Sequence, residues 1–184
     1  MSMKLITSSC ILREWVYRDR ITLTKNANHP EIAQWMRDGF PSPYSLEDAD
    51  NFIEMATGGE NNQIYLAIDL NGEVVGGIGV RRLGDIYRKT AEIGYWITPA
   101  NQGRGIVTDA VRAIVPYTFQ KLDIIRIEAG VFHTNYASKR VLEKNGFVLE
   151  AVHQNAIYKN GQILDECLYV LFPGTTNTGK TPII

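Results

Sequence analysis

The sequence predicts an α/β fold in one domain: a mixed, mostly antiparallel sheet of about six or seven strands with helices on both faces. Three observations carry that expectation. Runs rich in β-branched and aromatic residues alternate with runs of helical spacing. Asn71-Gly72 and Asn160-Gly161 each stand between two strand-like runs as hairpin turns. One strand passes through a glycine-bearing loop directly into a helix, between Ala91 and Ala110.

Taken in order, Ile11 to Trp15 reads as a first strand, with Arg13 opposite Leu12. Asp19 starts a helix carrying Ile21, Leu23 and Thr24. Asn28 with Pro30 and Glu31 starts a second, whose buried stripe is Ile32, Trp35 and Met36. Ser45-Leu46-Glu47-Asp48 has the form of a capping box opening a helix through Phe52, Ile53 and Met55, closed by Gly58-Gly59. Gln63 to Leu70 and Glu73 to Leu83 form a hairpin, and Gly76, Gly77 and Gly79 mark a bulge or a close backbone contact. Ala91 to Ile97 is a strand, stopped by Pro99 and Asn101. Val107, Ala110, Val111, Ile114 and Thr118 then recur at helical spacing. Pro116 removes an N–H from that helix and crowds the carbonyl of Arg112, so a kink or an early end is expected. Ile124 to Val131 is the next strand, reached by a right-handed crossover. Asn135 to Asn145 is a helix with Gly146 as left-handed cap, and Phe147 to Val152 and Ile163 to Leu171 are the last strands.

The bulk properties exclude several classes. The chain has 184 residues, 45% of them hydrophobic, enough for one real core. Nineteen basic and 20 acidic residues leave a net charge of −1, against a nucleic-acid partner. No apolar run is long enough for a membrane span, and Met1 to Ile6 does not read as a signal peptide, so a cytoplasmic protein is expected. Cys10 and Cys167 read as reduced, buried thiols, and His29, His133 and His153 form no metal-ligand spacing with them. Residues 1–172 read as the domain and residues 173–184 as a mobile Gly- and Thr-rich tail. Gly174 to Thr181 satisfies the pattern G-x-x-x-x-G-K-T, but a nucleotide loop must open a helix, and Pro182 follows at once.

The chemistry concentrates around the central strand, loop and helix. Gln102, Gly103, Arg104 and Gly105, with Ile106 and Val107 at the helix start, aim backbone N–H groups and the positive end of a helix at an anion, so a phosphorylated ligand is expected. The alternative is an ordinary strand-to-helix turn. Glu92 shares a strand face with Gly94 and Trp96; its carboxylate either serves as a proton acceptor or is an ion-paired strand residue.

Gln102-x-x-Gly105, Glu92-Ile93-Gly94-Tyr95-Trp96, the stretch from Asn135 through Ser138 to Gly146-Phe147, and Phe40-Pro41-x-Pro43-Tyr44 together resemble the GNAT acetyltransferases, nearest the RimJ/RimL-type ribosomal-protein N-terminal acetyltransferases. The resemblance runs from about Ile11 to Leu171 and implies a GNAT fold with acetyl-CoA as cosubstrate and no metal. It implies an amine acceptor, either a protein N-terminus or a small molecule, in a monomer or homodimer. By that resemblance the loop from Gln102 to Val107 binds the CoA diphosphate, with Val107 standing where the family usually has Gly or Ala. Ile97 and Thr98 offer backbone groups to pantetheine. Asn135 hydrogen-bonds pantetheine and Ser138 lies near the sulfur, though both also suit an N-cap and a first helical turn. Phe40, Tyr44 and Trp96 line the acceptor site, or else Phe40 and Tyr44 simply pack a rigid loop. Glu143 stands where many relatives carry a tyrosine acid. The expected reaction is direct attack on the thioester, with Ser138 or a water it holds protonating the thiolate and the Ile97 N–H meeting the developing charge. The rival reading is a GNAT-fold module that binds acyl-CoA and transfers nothing.

Overall fold

A computed structural model describes residues 3–59 and 62–174. Eight strands form one sheet: β1 (Lys4–Ile6), β2 (Ile11–Glu14), β3 (Gln63–Leu70), β4 (Glu73–Arg82), β5 (Thr90–Ile97), β6 (Arg126–Phe132), β7 (Val148–Lys159) and β8 (Gln162–Leu171). Their order is β1-β2-β3-β4-β5-β6-β8-β7, and every neighbouring pair is antiparallel except β5 with β6. The strand beyond the expected number is β1, three residues long and too short to leave a periodic signal. Most of the expected tail, and the nucleotide-loop pattern apart from Gly174, lie outside the described residues.

Local chemistry explains the turns. Asn71 (φ +56) and Gly72 (φ +91) are both left-handed, as a tight hairpin turn demands, and the Gly72 N–H donates to Asp69 Oδ1 at 2.7 Å. Asn160 and Gly161 repeat the device between β7 and β8. Along β4 the glycines allow close approach: a Cβ on Gly76 would meet the Trp96 carbonyl oxygen at 2.4 Å, and one on Gly79 would meet the Tyr65 ring at the same distance. A bulge between Ile68 and Asp69 lies opposite this stretch.

Alternation along the strands sorts the core into two layers. Helices α1 (Arg20–Ala27), α2 (Pro30–Ala33) and α3 (Leu46–Thr57) lie on one face, where Leu23, Ala49 and Ile53 pack on Trp15, Ala67 and Val74. Helices α4 (Ile106–Lys121) and α5 (Tyr136–Lys144) lie on the other, where Ala110, Val111, Ile114 and Leu142 meet Leu12, Leu66, Ile68, Val80, Ile93 and Ile127. The Ser45 capping box forms as expected: Ser45 Oγ accepts from the Asp48 N–H at 3.1 Å and Asp48 Oδ2 accepts from the Ser45 N–H at 2.8 Å. Gly146 (φ +82) ends α5, with the Phe147 N–H donating to the Leu142 carbonyl and its own N–H to that of Glu143. Cys10 and Cys167 are buried and unbridged.

Two expectations fail, an early end of α4 and a buried stripe through Trp35. Pro116 does not end α4, which runs on to Lys121; buried Ala110, Val111, Ile114 and Thr118 hold it, and Thr118 Oγ1 donates to the Ile114 carbonyl at 2.9 Å. The second helix stops at Ala33, so Trp35 is not in a buried stripe; it turns outward and meets Phe132 edge-on at 6.1 Å. Helices α1 and α3 form as expected; α1 buries Leu23, Asn26 and Ala27, α3 buries Ala49 and Ile53, and Ile21 and Met55 lie on their exposed sides.

Candidate functional site

The start of α4 is an open anion cradle. Gly103 (φ +71) and Gly105 (φ +78) are left-handed, conformations that side-chain-bearing residues rarely adopt. Gly105 is the N-cap of α4, and no side chain caps the first turn. Gln102 to Gly105 are exposed, Ile106 is buried beneath them and Val107 is half-buried. Arg104 lies back across the loop, its Nη1 donating to Asn101 Oδ1 at 2.7 Å, while Asn101 Nδ2 donates to Thr98 Oγ1 at 2.8 Å. A Cβ at Gly103 or Gly105 would meet nothing within 4 Å, so the space over the first-turn amides is free for a ligand. Uncapped amides at a helix's positive end fit a diphosphate.

From this loop the path leads to a gap in the sheet. β5 pairs with β6 only through Thr90↔Arg126, Ala91↔Ile127 and Glu92↔Glu128, after which β6 continues against β8 alone. On its other side β5 stays paired with β4 up to Gly76↔Ile97, and the Thr98 N–H donates to the Val75 carbonyl at 2.9 Å. Backbone groups alternate in direction along an antiparallel strand. Since Thr98 faces β4, Tyr95 and Ile97 turn their N–H and C=O groups into the gap. Across it stands the first turn of α5. Asn135 caps that helix, its Oδ1 accepting from the Ser138 N–H at 3.1 Å. The Tyr95 hydroxyl and Ser138 Oγ lie 2.9 Å apart, and burial pushes the Tyr95 phenol up to about 12, against the lowering effect of that hydrogen bond. Glu143 points elsewhere, accepting from the Tyr169 hydroxyl at 2.8 Å.

On the α1–α3 face of the sheet the gap opens into a cavity of about 680 Å³. It is lined by Phe40, Tyr44, Glu92 and Trp96 from that face, and by Tyr95, Asn135 and Ser138 from the gap. Phe40 is the hub of the aromatic wall, 5.2 Å from Tyr44 and 6.2 Å from Trp96 between ring centres. Glu92 is not free: Arg37 reaches it with both Nη atoms, and Arg81 Nη2 lies 3.3 Å from Oε2. Both readings of Glu92 thus share one position, an ion-paired carboxylate on the cavity wall. Ile97, Thr98 and the loop from Gln102 to Val107 lie outside this cavity, at the far end of β5 and beyond it. Among the described residues no group of three or more His, Cys, Asp or Glu is placed to hold a metal ion, and no helix is long and apolar enough to cross a membrane.

Sequence reasoning missed Tyr95, Arg37 and Arg81 as site residues. Tyr95 had a signal: it lies between Gly94 and Trp96, so alternation turns it to the face opposite Glu92, toward α5. Arg37 had none, because it meets Glu92 from 55 positions away; Arg81 lies 11 positions away and becomes Glu92's neighbour only through the β4–β5 register.

The chain is similar to several known proteins. The family described as Acetyltransferase (GNAT) domain matches residues 10–148. Probable N-acetyltransferase YjcK of Bacillus subtilis is 46% identical over 87 residues, covering 46% of this chain and 48% of that one, so the chain spans about half of that relative. The uncharacterized N-acetyltransferase YoaA of Bacillus subtilis is 32% identical over 167 residues, 89% of this chain and 93% of that one. The ribosomal-protein-serine acetyltransferase of Escherichia coli is 34% identical over 97 residues, 53% and 54% of the two chains. Among solved structures, RimL, a ribosomal L7/L12 α-N-protein acetyltransferase in complex with coenzyme A, superposes with a TM-score of 0.82 at 22% identity, covering 92% of this chain and 98% of that one.

Proposed function

The chain belongs to the GNAT acetyltransferase family, and from that premise we propose that it moves an acetyl group from acetyl-CoA to a primary amine by direct attack, without an acyl-enzyme. One observation carries the reading: a single cavity is lined from both sides of the sheet, and the two sides meet where β5 parts from β6. An acceptor entering from the α1–α3 side and a thioester lying in the gap therefore reach the same point. One relative is named as a ribosomal-protein-serine acetyltransferase and another as a spermidine N(1)-acetyltransferase, and the RimL neighbour, an α-N-protein acetyltransferase, holds coenzyme A; these names support an amine acceptor and acetyl-CoA as donor.

The chain's own groups supply what the reaction needs. When bound, acetyl-CoA supplies the electrophilic carbonyl, and the first-turn amides of α4 hold its diphosphate. An α-amino group has a pKa of about 8 and a lysine about 10.4, so the amine must lose a proton before it attacks. Glu92, directly or through water, is the carboxylate placed on the acceptor side. The Ile97 N–H points into the gap, where it donates to the carbonyl oxygen as charge develops. As the C–N bond forms and the C–S bond breaks, Ser138 Oγ–H or a water it orients delivers a proton to the sulfur. The Tyr95 hydroxyl, 2.9 Å from Ser138 Oγ, holds that hydroxyl in place at the gap. Holding both partners in one crevice contributes the orientation part of the acceleration.

Gly105→Glu tests the assignment, since it sets a strained side chain and a negative charge over the α4 amides. Acetyl-CoA affinity by calorimetry should fall by about a hundredfold or more, with the circular dichroism spectrum unchanged. Unaltered affinity in that variant removes the cofactor site. Steady CoA-thiol release with a panel of amines separates an enzyme from a module that only binds acyl-CoA; release from none of them favours the module.

A further inference from the structure

The acceptor side of the cavity carries a charge arrangement that acetyl transfer does not by itself require. Four charged residues line it: Arg37, Asp48, Arg81 and Glu92. Asp48 is committed to the Ser45 cap, whose hydrogen bonds hold its carboxyl below the usual carboxylate range. The other three form one cluster. Arg81 stands directly across from Glu92 in the β4–β5 register, with Nη2 3.3 Å from Oε2. Arg37 reaches the same carboxylate from the segment after α2, with Nη1 3.2 Å from Oε2 and Nη2 on Oε1. Two guanidinium groups share one carboxylate, so the cluster carries one unmatched positive charge.

An ammonium group bound for Glu92 needs one guanidinium to leave. Arg37 is the one that can: its side chain is 71% exposed, against 49% for Arg81, and it hangs from a turn rather than a strand. Ion pairs this exposed hold weakly and exchange readily. Once Arg37 has released Glu92 it stands beside Arg81 at the cavity wall, and the two present a pair of guanidinium forks to whatever lies next to the amine. A carboxylate or phosphate on the acceptor replaces the lost partner. A neutral substituent leaves Arg37 unmatched, and a second ammonium adds repulsion.

We infer that the preferred acceptor is an amine carrying an anionic group close to the amine, with Arg37 and Arg81 as its anion-binding pair and Glu92 as the partner of its ammonium. This deepens the acetyl-transfer reading and rests on it for turnover. The same chemistry is offered by a peptide whose second residue is Asp or Glu and by a small amino acid or amino phosphate. Polyamines are disfavoured.

The test compares the amides of Ser-Asp-Ala-Ala, Ser-Asn-Ala-Ala and Ser-Lys-Ala-Ala, with free aspartate and spermidine as small-molecule arms. Two readouts are taken: kcat/KM by CoA-thiol release, and binding to the CoA-loaded chain by calorimetry. The Asp peptide should exceed the Asn peptide by about tenfold in both, with the Lys peptide and spermidine lower still. Arg37→Gln and Arg81→Gln should each shrink the Asp-to-Lys ratio, mainly through KM. Aspartate outperforming the Asp peptide assigns the anion to a small molecule, and the reverse assigns it to a peptide. Similar turnover of all three peptides overturns this inference and leaves acetyl transfer standing. Preferential binding of the Asp peptide without any turnover does the opposite. Failure of the Asp peptide and of aspartate alike to bind or react, or an Asp-to-Lys ratio unmoved in both variants, also overturns it.

Discussion

Arg13 and Arg37 each hold carboxylates, yet the two clusters sit in opposite surroundings. Arg13 donates to both oxygens of Asp19, at 2.7 and 2.9 Å, and through Nε to Asp69 Oδ2 at 2.7 Å. All three side chains are almost enclosed, 13%, 6% and 8% exposed, and the neighbouring backbone joins in, with the Val16 N–H donating to Asp19 and the Gly72 N–H to Asp69. Asp19, beside which Arg13 lies, raises the guanidinium's pKa above its ordinary value. Arg37 and Arg81 instead share Glu92 at the cavity wall, with water on most of the Arg37 side chain. The first cluster ties β2, the turn before α1 and the β3–β4 hairpin into one piece. The second is held by little and is free to trade partners. Burial, more than the residue types, decides whether an ionic cluster serves the fold or the ligand.

The sharpest way to break this contrast is Arg13→Ala, which leaves two carboxylates enclosed without their cation. It should cost about 3–5 kcal/mol of stability in urea unfolding. A loss as small as that of a surface substitution would erase the distinction between the clusters. Within the gap, Ser138→Ala should lower kcat by about a hundredfold, the lower end for proton-transfer groups, with little change in KM for acetyl-CoA. Tyr95→Phe should cost less, about tenfold, because it removes only the group that orients Ser138; added to Ser138→Ala it should cost almost nothing more. Since burial pushes the Tyr95 phenol up to about 12, it keeps its proton throughout the working range, and the pH profile of kcat should show no Tyr95 inflection.

Smaller effects sharpen the comparison. Arg37→Gln should change stability by less than about 1 kcal/mol, in contrast to Arg13→Ala, while altering acceptor choice. Asp109 is an intermediate case at the first turn of α4, where Ser8 and Ser9 donate to it at 2.6 and 2.8 Å and Arg112 at 2.6 Å. These contacts, Ser8 foremost, hold its carboxyl below the usual 3.8. A depressed folded-state value stabilises the chain above the unfolded pKa, and that contribution is lost as pH falls through the folded value. Asp109→Asn should therefore lose less stability than the parent chain between about pH 6 and about pH 3.

What the sequence disclosed was local. The Asn71-Gly72 and Asn160-Gly161 turns, the Ser45 cap, the Gly146 cap and the Gly103–Gly105 loop each declare themselves in a few adjacent residues, because φ and hydrogen-bond demands act over that range. The alternation of Glu92, Gly94 and Trp96 was legible for the same reason. The site's couplings were not. Alternation gave the face of Tyr95 but not its partner Ser138, 43 positions away, and nothing near Arg37 encodes its contact with Glu92, 55 positions away. Pro116 and Trp35 misled in the same way, since packing along α4 outweighed a local breaker and a four-residue helix cut short an apparent stripe.

The central claim is that one cavity joins the two sides of the sheet where β5 leaves β6, and that the gap runs from there along β5 toward the uncapped start of α4. A crystal structure of the chain with acetyl-CoA tests it most directly. The diphosphate should lie on the first-turn amides from Gly105 onward, with the thioester between the Ile97 backbone and Ser138 Oγ. A cofactor seated elsewhere, with that gap closed by side chains, would contradict the account.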